Sequence, residues 1–167
     1  GDNRLHTVFV DFRGNVWIGG YSGGLQKWDP NTESFIRYLP DSRKKNTISS
    51  ARVWSICEMP KGVLWVGTEE GLNRFDIDKQ EFTVYRYSRK NKSSISHDRV
   101  RCVSPGSNGM LWVGTQDGLN LFDPKTGESQ RFYKLKKGKG LSHDVINSVY
   151  EADNGNVWIC LLYTSDA

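Results

Sequence analysis

The chain has 167 residues, 37% of them hydrophobic, enough for one packed core and against wholesale disorder. Its 23 Lys and Arg against 19 Asp and Glu give a formal charge of +4, an excess compatible with an anionic partner and too small to establish one. No run approaches the roughly 20 apolar residues of a membrane helix, residues 1–6 lack the charged-then-apolar pattern of a signal segment, and Cys57, Cys102 and Cys160 have no metal-pair spacing and are too few for a disulfide scaffold, so neither a metal nor a cofactor is expected.

In chain order, a first strand opens at Leu5, a second carries Trp17 in NVWIGG, a third lies in GGLQKWD (23–29) and a fourth opens at Phe35 in FIRY. A second copy places strands over about 53–58, 63–68, 72–76 and 82–87, with Trp65 in VLWVGT and GLNRFD ending at Asp76. In a third, Val100 opens the first strand, Trp112 sits in MLWVGT, GLNLFD spans 118–123, and SQRFY begins at Ser129, where the other copies have Phe. A fourth begins at Ile146 and reaches Trp158 in NVWIC. The four Trp stand 48, 47 and 46 residues apart, and Leu5, Val53, Val100 and Ile146 each precede one by 12.

Four short antiparallel strands per period, bounded by Gly, Pro, Asn and Asp and with no capped helical stripe between them, predict an all-β fold. The period fits a β-propeller blade. The expected fragment has three complete four-stranded blades, about 5–40, 53–88 and 100–136, and half of a fourth, 146–159. Propellers typically close with four to eight blades, so the remaining blades are expected elsewhere in the parent protein. The string CLLYTSDA (160–167) departs from every earlier copy, with Cys160 where the repeat has Gly, and is read as foreign.

Within this frame the anchors Trp17, Trp65, Trp112 and Trp158 are expected to fill the wedges between blades rather than stack on sugars. Gly19, Gly67 and Gly114, with Gly24, Gly71 and Gly118, are expected to provide positive φ or close backbone approach at the hairpin joining the second and third strands. Asp29, Asp76 and Asp123 are expected to begin the turn to the fourth strand. His97-Asp98 and His143-Asp144 invite a catalytic or metal reading, but neighbouring side chains in an extended segment point apart, so a turn or cap is expected. Cys57 and Cys102 fall out of register on adjacent inner strands and are expected as buried free thiols.

The strings LWVGTEEGLNRFDIDKQEFTVY and LWVGTQDGLNLFDPKTGESQRFY, with lead-ins at Ser94 to Val100, Gly140 to Ile146 and Ile48 to Val53, resemble the two-component regulator propeller repeat. The resemblance spans residues 5–159. It implies a periplasmic sensor region of a hybrid two-component histidine kinase of the Bacteroidetes, responding to breakdown products of complex carbohydrates. Its partners would then be an oligosaccharide and the membrane-linked kinase of the same chain, and a homodimer through the propeller is compatible with it. Residues departing from the repeat are the extra one in GGYSGGL and Ser129.

In a propeller, the connections between blades share a face with the hairpins between second and third strands. Fifteen of the 23 cationic residues fall in these connections, over 41–52, 86–101 and 131–146. The ligand candidates there are Arg43, Lys44, Lys45, Arg89, Lys90, Lys92, Lys136 and Lys137, and the hairpins add Tyr21, Ser22, Glu69, Glu70, Gln116 and Asp117. Long loops are also charged simply for solvation, but a basic rim suits a uronic or sulfated oligosaccharide. Trp28 and Trp54, not repeated in kind, are looser candidates for a surface contact. Two other classes compete: a polysaccharide lyase or glycosidase, which would need a unique carboxylate or base constellation, and a protein-interaction scaffold. Nucleic acid is disfavoured, because the basic loops lack interleaved stacking aromatics.

Overall fold

Alternating β-branched and aromatic residues between Gly- and Asp-bounded turns produce strands throughout a computed structural model that describes residues 4–135 and 140–162. The first sheet holds β1 (Leu5–Val10), β2 (Val16–Gly20), β3 (Leu25–Asp29) and β4 (Ser34–Tyr38). The second holds β5 (Val53–Glu58), β6 (Val63–Thr68), β7 (Gly71–Asp76) and β8 (Glu81–Tyr85). In the third are β9 (Val100–Pro105), β10 (Leu111–Thr115), β11 (Leu119–Asp123) and β12 (Glu128–Phe132), followed by the two-stranded β13 (Ile146–Glu151) and β14 (Val157–Leu161). Order in space follows order in the chain, and every pair is antiparallel. The first strands pack on one another, β1 on β5, β5 on β9 and β9 on β13, so they are innermost and the sheets radiate from them as three blades and a half.

β8 stops two residues before the expected end because the Tyr87 amide donates to Asp98 Oδ1 at 2.7 Å, which draws the chain off the sheet. β14 continues past residue 159, with Cys160 opposite Ser148 and Leu161 opposite Ile146. Residues 163–167 of the CLLYTSDA string lie outside the described residues.

The core lies between the sheets. Trp17 and Trp65 are completely buried, in T-shaped contact with Phe75 and Phe122 of the next blade at 5.8 and 5.4 Å. Their indole N–H groups donate to Asp11 Oδ2 (2.8 Å) and to the Met59 carbonyl (2.7 Å). Burial pushes the Asp11 carboxyl up, but donation from Trp17, Asn15 and the Arg13 amide outweighs it and holds the group below the usual carboxylate range. Trp112 is half-buried under β13 and β14. Trp158 departs from the expected wedge role, being 67% exposed, because no following sheet covers it among the described residues.

The anchor glycines divide by cause. Gly24, Gly71 and Gly118 take φ of 67°, 130° and 100°, as a hairpin corner requires. Gly19, Gly67 and Gly114 do not; their missing side chains admit the first residue of the next blade. A Cβ on Gly67 would stand 2.9 Å from the Val100 carbonyl oxygen, and one on Gly114 would stand 2.6 Å from Ile146 Cγ2. Cys57 and Cys102 are buried free thiols pushed up to about 12 by burial, so neither is a nucleophile at neutral pH.

Candidate ligand-binding face

The crossovers between blades return over the hairpins through a repeated polar frame. Ser49 receives Asn73 Nδ2 at 2.8 Å, its amide donates to Asn73 Oδ1 at 2.9 Å, and its hydroxyl meets Thr68 Oγ1 at 2.9 Å. Ser96, Asn120 and Thr115 reproduce these contacts one blade on, at 2.8, 2.9 and 2.9 Å. Thr68 and Thr115 then donate to the carbonyls of Gly71 and Gly118, both at 2.9 Å, closing the hairpins. All four Thr and Asn side chains are fully buried, so the frame is a satisfied interior network. Ile48 and Ile95 plug the crossovers into the core.

The His-Asp pairs belong to this scaffold. His97 Nδ1 accepts the Arg99 amide (2.9 Å) and His143 Nδ1 accepts the Val145 amide (3.1 Å). Asp98 and Asp144 accept the amides of Tyr87 and Lys134 at the exits of the two preceding blades. These are the turn and cap roles expected from the sequence. Asp29, Asp76 and Asp123 likewise accept the amides of Asn31, Lys79 and Lys125 in the turns to their fourth strands.

The charged candidates separate into three groups. Lys44 and Glu70 line a groove of about 670 Å³ under the first crossover, with Asp41, Ser49 and Arg86. Arg43 turns onto Asp41 at 3.3 Å with 88% of its side chain exposed. Lys45, Arg89, Lys90, Lys92 and Asp117 are exposed, and Lys136 and Lys137 lie outside the described residues. Arg131 is structural, donating to Ser94 O (2.7 Å), Ser94 Oγ (2.7 Å) and Asn91 O (2.9 Å).

Nearer the axis, each hairpin closes the same way. The amides of Tyr21, Glu69, Gln116 and Leu162 donate to the carbonyls of Arg4, Arg52, Arg99 and Val145 at 3.0 to 3.1 Å. The Tyr21 ring meets the guanidinium carbons of Arg4 and Arg52, each 3.9 Å from its centroid. Glu69 accepts from Arg99 Nε (2.6 Å) and Nη2, and from Trp54 Nε1 (3.1 Å), with Arg52 Nη1 at 3.5 Å. His6 Nδ1 donates to the Val53 carbonyl at 2.9 Å, and its ring stacks on Trp54 at 4.3 Å and 4°. Trp28, the other unrepeated Trp, packs on Phe35 at 5.0 Å, away from this cluster.

Tyr21 and Glu69 therefore stand together, but engaged with arginines rather than open to solvent. Sequence reasoning missed the arginines that engage them and the Ser-Thr-Asn frame. The frame was visible as the Thr and Asn repeated in WVGTxxGLN, whereas the ion pairs cross blades and leave no local signal.

A sequence model described as the two component regulator propeller matches residues 94–117 and 140–162. No curated protein matches the chain. Among solved structures it superposes on the extracellular domain of BT3049 from B. thetaiotaomicron, a protein assigned to the hybrid two component systems. The TM-score is 0.84 at 24% identity, over 97% of this chain and 22% of that one. The extracellular domain of BT4673 from the same organism, assigned likewise, gives 0.76 at 19%, over 95% and 20%. Virginiamycin B lyase from Staphylococcus aureus gives 0.66 at 15%, over 93% and 48%. These superpositions establish a shared fold. The chain spans about a fifth of the length of the two B. thetaiotaomicron structures.

Proposed function

We propose that this chain, which carries two-component regulator propeller repeats, is part of the periplasmic sensor region of a hybrid two-component histidine kinase. It binds an oligosaccharide on the face built by its crossovers and hairpins, and other parts of the same protein carry the signal across the membrane. The observation that carries this reading is the repeat match over 94–117 and 140–162. The description of both B. thetaiotaomicron relatives as extracellular domains supports it. A sugar ligand is supported by the groove beside Lys44, Glu70 and Arg86, which offers donors and acceptors to hydroxyl groups. The concentration of cations in the crossovers supports an anionic one. A binding rather than catalytic role is supported by His97 and His143, whose Nδ1 atoms are occupied by backbone amides.

The test is calorimetric titration of the intact chain with trigalacturonate and with a neutral trisaccharide, at low and high ionic strength. The expected result is tighter binding of the acidic sugar, weakening as salt screens the rim. Equal, weak and salt-independent binding of the two would discard the reading.

A further inference from the structure

One position on the outer strand of each four-stranded sheet differs between blades in a way that decides what the crossover can hold. It is Arg37 opposite Gln26 in the first sheet, Val84 opposite Asn73 in the second and Arg131 opposite Asn120 in the third. Arg131 reaches into the second crossover, where its Nε donates to the Ser94 carbonyl at 2.7 Å. Its Nη2 donates to the Asn91 carbonyl at 2.9 Å and to Ser94 Oγ at 2.7 Å. Val84 has neither the length nor the N–H groups to do the same under the first crossover.

The two crossovers are otherwise the same turn. The Lys44 amide donates to the Asp41 carbonyl at 3.1 Å, and the Asn91 amide to the Ser88 carbonyl at 3.2 Å. The Asp41 amide donates to Thr47 Oγ1 at 3.3 Å, and the Ser88 amide to Ser94 Oγ at 2.8 Å. From the sheet below, the Phe82 amide meets the Asn46 carbonyl at 3.1 Å and the Ser129 amide meets the Ser93 carbonyl at 2.7 Å. Lys44 and Thr47 therefore stand where Asn91 and Ser94 stand one blade on, and their carbonyls receive no donor from the described residues. Both line the groove of about 670 Å³ under the first crossover, and so does Val84. Where the third blade holds a guanidinium, the second has open space beside the residues that carry the equivalent acceptors.

We propose that this groove is a subsite for the ammonium group of an amino sugar, which stands in for the Arg131 guanidinium. Its three N–H donors match in number the Lys44 carbonyl, the Thr47 carbonyl and Thr47 Oγ1. A carboxylate or sulfate would bring only acceptors to the same atoms. The lining sets Asp41 and Glu70 against Lys44 and Arg86, so a cation meets no net repulsion there. Asp41 is already met by Arg43, whereas Glu70 has no ion pair among the described residues. The exposed Lys45, Arg89, Lys90 and Lys92 lie outside this lining and remain for acidic units. The proposal rests on the oligosaccharide reading above and specifies the unit that enters the groove.

The test is calorimetric titration of the intact chain with the β-linked trimer of glucosamine and with cellotriose, which has a hydroxyl in place of each ammonium group, at a pH where the amines are protonated. Trigalacturonate is titrated alongside. The glucosamine trimer is expected to bind the unaltered chain about tenfold to a hundredfold more tightly than cellotriose, the range for charge-assisted hydrogen bonds. V84R is expected to abolish that preference at an unchanged or raised melting temperature, because the new guanidinium fills the groove as Arg131 fills its own crossover. V84K, which supplies an ammonium group itself, should do the same and decides the outcome should V84R not fold. Equal binding of glucosamine trimer and cellotriose, or a preference that survives in folded V84R, overturns the ammonium subsite and leaves the oligosaccharide reading standing. Failure of all three sugars to bind the unaltered chain overturns both.

Discussion

Replacing Trp65 by Ala is expected to lower the stability of the chain by about 3–5 kcal/mol, the range for emptying a large aromatic site in a core. Trp65 is completely buried between the second and third blades, in contact with Tyr85 at 5.8 Å and Phe122 at 5.4 Å. Its removal also leaves the Met59 carbonyl without its 2.7 Å donor. The walls of the cavity belong to two rigid sheets, so collapse into it is limited. Urea unfolding followed by circular dichroism measures the loss. The equivalent change at Trp158, which is 67% exposed, should cost far less, and equal losses at the two positions would contradict the inter-blade assignment.

Gly67→Ala tests the same interface from the opposite direction. The added Cβ would stand 2.9 Å from both the Val100 carbonyl oxygen and Val100 Cγ1. A side chain can rotate away, but the carbonyl belongs to β9 and can move only with its blade. A loss of about 1–3 kcal/mol is expected, typical of overpacking. The same substitution at Gly14, where no atom lies within 4 Å of the new Cβ, carries only the cost of its φ of 83°. Unfolding midpoints of the two variants, measured side by side, separate blade contact from backbone strain. A Gly67→Ala chain as stable as the parent would mean that the blades do not pack in this register.

The repeat made the fold legible. Spacing alone located Trp17, Trp65 and Trp112 on second strands, and the Asp and His-Asp positions resolved into the turns and caps that their chemistry suggested. Gly67 was legible as a recurring position for which positive φ and close backbone approach stood as alternatives, and only the structure selects the approach of the next blade. The ligand face was less accessible. Charge counting found the basic crossovers, but it could not show that Arg52 and Arg99 are partly neutralised by Glu69, or that Arg131 is consumed in holding residues 91–94. A register slip skips His6, Trp54, Arg101 and Asn147 in the pairing of the first two strands of each sheet, and such a slip has no composition signature.

Oligosaccharide binding on the face built by the crossovers and hairpins is read directly by the indole N–H resonances of the six Trp. Trp54 Nε1 is bonded to Glu69 beside Arg101, whereas the indoles of Trp17 and Trp65 are sealed in the core. A proton–nitrogen correlation spectrum recorded during titration with trigalacturonate should show the Trp54 indole peak moving in step with saturation while those of Trp17 and Trp65 stay in place. A titration in which the ligand saturates and the Trp54 peak does not move would contradict the account.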